Sequence, residues 1–158
     1  MLTSDIKKYI DQSVLCWLAT VSKDGIPNVS PKEIFTYLDD EYIGIAHIAS
    51  PNSLRNIKIN SNVCISLVDI FVQKGYKLVG RAEIISKSAP NFKIEAAKIL
   101  EMAGVAFPVQ ALLKIKVIKT APILAPSYLL YPETTTEAAQ IKGALKIYRV
   151  KEHLQNSK

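Results

Sequence analysis

The sequence predicts a mainly β domain with flanking helices, in which about six strands close into a small barrel. Three observations carry this. Apolar runs of strand length recur along the chain and are separated by short turn signals. Helical spacing is confined to short stretches near the ends and between strands. The regular βαβ alternation of a doubly wound sheet is absent, as are the Gly-x-Gly-x-x-Gly and phosphate-loop glycine motifs. At 158 residues and 49% hydrophobic content, the chain is expected to form one domain over residues 1–158 with a sizeable core.

In chain order, Ser4 to Gln12 reads as a helix. Ser4 serves as cap, Asp5 suits the first turn, and Ile6, Tyr9 and Ile10 share one face. Val14 to Val21 is a nearly continuous apolar run of strand length, which places Trp17 in the core. Asp24-Gly25 supplies the positive φ of a hairpin turn. Ile26 to Phe35 then pairs back as an edge or bulged strand, because Pro27 and Pro31 cannot donate to a ladder.

After a turn at Leu38 to Glu41, Tyr42 to Ala49 forms the third strand and runs into a helix over Pro51 to Asn60. Val63 to Val68 and Tyr76 to Ser86 are the fourth and fifth strands. Gly80 marks a bulge or a close backbone approach in the fifth. Pro90 to Met102 is a helix ended by Gly104, and Leu112 to Ile118 is the sixth strand. Ala121 to Pro132 is a proline- and tyrosine-rich connection. Thr134 to Glu137 fits a capping box that opens a C-terminal helix over 136–150, and the polar tail from Lys151 is expected to fray.

Net charge is +6, which suits an anionic partner: nucleic acid, an acidic lipid surface or a phosphorylated small molecule. Most of the lysines are scattered and read as solvated. The aromatics of the strands, Trp17, Phe35, Tyr42 and Tyr76, do not interleave as a base-stacking face would require, so nucleic acid is not expected. No apolar run is long enough for a membrane span, and Met1 to Asp5 lacks the layout of a signal peptide. Cys16 and Cys64 each lie inside an apolar run, which suggests two buried thiols in a reducing cytoplasm.

The sharpest chemical signal is the helix opening at Ser50-Pro51. Ser50 suits the N-cap and Pro51 the first helical position. A helix N-terminus presents free N–H groups and a positive dipole end, and so can hold a phosphate. Asn52, Ser53 and Arg55 add donors at that end. Lys32 reaches the same anion if its strand lies beside the helix start. His47, alone in an apolar strand, reads as a packed residue. Asp39, Asp40 and Glu41 read as a solvated turn, and Tyr128 and Tyr131 as packing for the C-terminal segment. Two histidines and no local signature give no hydrolytic triad.

Three stretches carry a family resemblance. Leu18 to Lys32 (LATVSKDGIPNVSPK) resembles the opening hairpin of the pyridoxamine 5'-phosphate oxidase-like, FMN-binding split-barrel family. Ser53 to Val63 (SLRNIKINSNV) resembles its helix and following strand, and Gly75 to Ile84 (GYKLVGRAEI) its glycine-containing strand. The resemblance implies a six-stranded split barrel and a cytoplasmic homodimer with FMN in each of two clefts at the subunit interface. It implies that Asn28, Ser30 and Lys32 lie along the flavin and its phosphate tail. Ala46, His47 and Ile48 pass the ring edge, and Asn52, Ser53 and Arg55 take the phosphate. Gln73, Lys74 and Tyr76 are candidates for contacts from the partner subunit.

The implied activity is that of a flavin-dependent oxidoreductase acting on a small-molecule substrate or electron donor. The alternative is a non-catalytic FMN protein for electron transfer or flavin storage. Ser53 and Ser61 stand where the family often has a basic residue and a proline. Arg149 is the only arginine from Lys142 onward, which argues against pyridoxamine phosphate as substrate.

Overall fold

The computed structural model describes residues 1–150; the expected frayed tail from Lys151 lies outside them. The elements are α1 (Ser4–Gln12), β1 (Cys16–Val21), β2 (Pro27–Lys32), β3 (Phe35–Tyr37), β4 (Tyr42–His47), α2 (Pro51–Ile59), β5 (Asn62–Asp69), β6 (Lys74–Ser86), α3 (Phe92–Glu95), α4 (Ala97–Ala103), β7 (Ala111–Leu124), α5 (Ser127–Leu130) and α6 (Glu137–Tyr148). All seven strands join one antiparallel sheet in the order β2-β1-β5-β6-β7-β4-β3. The two outermost strands, β2 and β3, are consecutive in the chain and separated only by Glu33 and Ile34. A two-residue link cannot span a flat seven-stranded sheet, whose neighbouring strands lie about 4.8 Å apart. The sheet therefore curls, bringing the end of β2 and the start of β3 together at a seam at Lys32–Ile34.

The expected mainly β architecture with flanking helices is the one found, with seven strands where six were expected. The extra strand arises because Ile26 to Phe35 is not one strand. Its first part pairs with β1 as far as Lys32 opposite Cys16. Its last residue begins β3, which pairs with β4. The edge position expected from Pro27 and Pro31 holds for β2.

β7 runs on to Leu124, through residues read as a connection. Its ladder with β4 stops at Lys116, and beyond the Val117 N–H, which donates to the Glu41 carbonyl, no strand among the described residues pairs with that side of β7, so Pro122 is tolerated. A register shift falls between Val79 and Gly80, and a Cβ at Gly80 would overlap the Lys116 carbonyl. The close approach expected there is real.

The helix expected over Pro90 to Met102 divides at Ala96 into α3 and α4. The first helix is capped by Thr3, whose Oγ1 accepts the Ile6 N–H at 3.3 Å, and not by Ser4. The last helix is capped by Thr136, two residues past Thr134, which accepts the Ala139 N–H at 3.1 Å; with alanine at that position the expected reciprocal box does not form.

The main core fills the curl with Leu18, Ile43, Ile45, Ile65, Leu67, Leu78, Leu113 and Ile115, all fully buried, and α1 closes it with Ile6, Tyr9 and Ile10. A second cluster packs Phe92, Ala96 and Ile99 from α3, α4 and the residue joining them against Ala46, Ile85 and Leu112. Trp17 is not in the core: it is 47% exposed. β1 alternates, with Cys16, Leu18 and Thr20 inward and Trp17 outward. The apolar run predicts Trp17 in the core, but the outer face of β1, where it lies, is left open. Cys64 is half-buried, also on the outer side of its strand, whereas Cys16 is fully buried.

Candidate functional site

The tight turn with Gly25 in the left-handed region (φ 79°) sets the register of the first hairpin. That register places Asn28, Ser30 and Lys32 opposite Thr20, Leu18 and Cys16, on the inner face. α2 crosses this face near its start, and polar side chains tie the two together. Asn28 Nδ2 donates to Thr20 Oγ1 at 3.2 Å and to Ser53 Oγ at 3.3 Å. Asn56 Nδ2, one helical turn beyond Ser53, donates to the same Thr20 Oγ1 at 3.1 Å. Thr20, Ser53 and Asn56 are all buried.

Nearer the seam, Lys32 Nζ donates to Ser50 Oγ, and Ser30 Oγ lies 3.4 Å from the same hydroxyl. Ser50 occupies the N-cap position, but its side chain makes no cap bond. The amides of the first turn of α2 therefore have no side-chain acceptor at Ser50. Lys32 is 6% exposed, and no carboxylate pairs with it among the described residues. A buried ammonium without an anion is costly. Burial pushes its pKa below the ordinary lysine value, and the adjacent Cys16 pulls weakly the other way. His47 is also held below its usual range, first by burial and then by the Lys32 charge.

A cavity of about 310 Å³ opens at this point. Lys32 and Ser50 supply its polar end, with Glu33 on the rim. Leu15, Ile34, Ala46, Ile48 and Phe107 supply apolar wall. The arrangement can hold an anion at one end and an apolar or aromatic body along the other.

The expected site residues do not all converge. Lys32, Ala46 and Ile48 line the cavity. Asn28 and Ser30 lie on its strand, tied to α2. His47 lies between Ala46 and Ile48 but is buried, and its Nδ1 has no hydrogen-bond partner among the described residues. Ser53 is 1% exposed and turned toward Asn28, away from the open helix end. Arg55 is exposed and donates to Asn52 Oδ1. Lys32 and Ser50 thus meet at the polar end of the cavity with Ser30 beside them, whereas Asn52, Ser53 and Arg55 do not line it.

Gln73, Lys74 and Tyr76 belong to a different surface, on and beside β6. Lys74 pairs with Glu137 at 2.7 Å, Tyr76 donates to Asp5, and Gln73 takes a positive φ of 57°. Asp5 and burial push the Tyr76 phenol up to about 12. Lys74 is engaged by α6 and Tyr76 by α1, in a cavity of about 280 Å³ that Gln73 does not line.

Sequence reasoning missed Thr20, Asn56, Glu33 and Phe107. Asn56 was within reach, since it lies three residues after Ser53 and shares its helix face. Thr20 followed from the hairpin register. Phe107 had no local signal, because only the second core cluster brings its loop to the cavity.

Solved structures share this architecture. HupZ of Group A Streptococcus is 28% identical, with 76% of this chain and 92% of that chain covered at a TM-score of 0.65. An FMN-binding protein from Syntrophomonas wolfei is 15% identical, covering 78% and 87% with a TM-score of 0.66. The heme storage protein HutZ from Vibrio cholerae is 20% identical, covering 78% and 94% at 0.59. The last two likenesses are of fold alone. No curated protein matches the chain significantly. The family model described as pyridoxamine 5'-phosphate oxidase matches residues 2–122, most of the chain including both strands and the helix of the cavity, and the chain belongs to that family.

Proposed function

We propose that this chain is an FMN-binding, flavin-dependent oxidoreductase, that it works as a cytoplasmic homodimer, and that FMN occupies the cavity at the β2–α2 seam. The observation that carries the reading is Lys32. Its ammonium is buried without a carboxylate partner among the described residues, beside a helix start whose cap serine is turned to the lysine instead of the helix. A phosphate monoester satisfies both groups at once. Family membership and the likeness to an FMN-binding protein support the same choice of ligand.

In this reading Lys32, Ser30, Ser50 and the first amides of α2 bind the phosphate and fix the depth of the ligand. Ala46, Ile48 and Ile34 exclude water along its body, and Phe107 closes one side of the mouth. Bound FMN supplies hydride or single-electron chemistry, which no side chain of the cavity offers. Lys32 has two tasks open to it, as a phosphate partner or as a donor that stabilises an anionic ring. The first follows more directly from its contact with Ser50 at the helix start. Lys74 and Tyr76 would serve the second subunit's cofactor only if their own-chain pairs with Glu137 and Asp5 give way on assembly. Dimerisation would also cover the open outer face at Trp17. No helix among the described residues is long and apolar enough to cross a membrane.

The test is the visible spectrum of the purified protein. A yellow sample that releases FMN on denaturation supports the reading. A colourless protein that cannot be reconstituted with FMN overturns it, and a Soret band would replace flavin by heme. Turnover with a reduced nicotinamide or a pyridoxine compound separates an oxidoreductase from a flavin store.

A further inference from the structure

The four-residue cluster under the helix start has no ligand contact in the reading above, yet it is the only polar tie between β1, β2 and the body of α2 among the described residues. Thr20 Oγ1 accepts from Asn28 Nδ2 at 3.2 Å and from Asn56 Nδ2 at 3.1 Å, and Asn28 Nδ2 also reaches Ser53 Oγ at 3.3 Å. These contacts join residues 8, 25 and 36 apart in sequence. Thr20 is 4% exposed, Ser53 1% and Asn56 7%. Buried polar groups are costly unless paired. The cluster therefore has one favourable arrangement, and that arrangement fixes α2 against the hairpin.

The rest of the contact between α2 and the sheet is Ile57 and Leu54 packed on apolar neighbours. Apolar packing tolerates a small slide or rotation better than a directional hydrogen bond does. The seam makes such a slide matter. Lys32 is two residues beyond Ser30 and four beyond Asn28, on the same face of the same strand. A shift of α2 along β2 would carry Ser50 and the first amides away from the Lys32 ammonium.

We infer that Thr20 and Asn56 are positioning residues, which set the anion-binding geometry of the Lys32–Ser50 end through Asn28 and Ser53 without touching the ligand. The inference rests on the reading that this end holds a phosphate. Thr20 is the hub, because its single oxygen accepts both amides. The ligand class that feels the cluster is the phosphate monoester. A ligand that fills only the apolar wall does not use the helix end and does not feel it.

The experiment measures the affinities of FMN and riboflavin, which differ by the phosphate, and the thermal shift given by inorganic phosphate. It uses the full chain and its Thr20→Val, Thr20→Ser and Ile6→Val variants. Valine keeps the shape of threonine and removes the acceptor, serine keeps the acceptor, and Ile6→Val weakens the core away from the cavity. The expected result is that Thr20→Val lowers the preference for FMN over riboflavin about tenfold and reduces the phosphate shift, while riboflavin affinity holds. Thr20→Ser should restore the preference, and Ile6→Val should lower stability without moving it. An FMN preference in Thr20→Val equal to that of wild type overturns the inference and leaves the phosphate reading standing. Equal loss of both ligands shows a general loss of fold, and also overturns it. A wild-type protein indifferent to FMN and to phosphate overturns the phosphate reading, and the inference with it.

Discussion

Replacing Lys32 by methionine separates what the lysine does for binding from what it does to stability. Methionine keeps the length and most of the volume of the stem, so the wall of the cavity is conserved. What is lost is one charge-assisted contact to a phosphate at a site where the ammonium is 6% exposed. A hydrogen bond to a charged group contributes about 1.5–3 kcal/mol, and about 1.4 kcal/mol corresponds to a factor of ten. FMN affinity should therefore fall about 10- to 100-fold.

Stability should move the other way. The empty protein no longer has to bury an unpaired ammonium, and a gain of about 1 kcal/mol is expected. The pH dependence fixes the sign. Burial holds the folded-state value of Lys32 below 10.5, so between that lowered value and 10.5 the unfolded chain binds more protons than the folded one. Its contribution to wild-type stability rises with pH across that window, and Lys32→Met removes the rise. FMN affinity should fall as pH rises through the same window, since the neutral amine no longer attracts phosphate. Fluorescence titration with FMN and riboflavin, with urea unfolding of the empty protein, measures both sides. Unchanged FMN affinity refutes the assignment, and an equal loss of riboflavin affinity moves Lys32 from the phosphate to the ring.

Other expectations come from the same geometry. Arg55→Ala should change FMN affinity by less than about threefold, because the guanidinium is exposed and engaged with Asn52; isothermal titration checks it. Gly80→Ala should destabilise the fold by about 1–3 kcal/mol in urea unfolding, because the added methyl meets the Lys116 carbonyl. Trp17→Glu should shift the protein toward monomer in sedimentation velocity, since the open outer face of β1 is the surface assigned to the second copy. With a thiol reagent under native conditions Cys64 should react and Cys16 should not. Burial pushes the Cys16 thiol up to about 12 and leaves it fully enclosed, so one equivalent is expected before denaturation and two after it.

What the sequence disclosed and what it hid divide along one physical line. Local chemistry was legible: the Asp24-Gly25 turn, the prolines of an edge strand, the Pro51 helix start and the tight passage at Gly80 each depend on backbone constraints a few residues long. Those constraints were enough to bring Lys32 and Ser50 to one place. Which face of an apolar strand is covered was not legible, because cover is supplied by distant elements. Trp17 and Leu18 are adjacent in one apolar run and must point to opposite faces, and only the curl of the sheet decides which face is covered.

The same limit applies to the donors at the start of α2. Asn52, Ser53 and Arg55 are neighbours along the chain, which does not by itself make their side chains converge in space. A helix turns by about 100° per residue, so Ser53 faces away from Asn52, while Arg55, three residues on, returns to the Asn52 face and bonds to it. Ser53 meets Asn28 of β2, Arg55 is exposed and bonded to Asn52, and the lysine that reaches Ser50 comes from β2. An anion site of this kind is better sought in the buried cation that lacks a carboxylate than in the donors nearest the helix start.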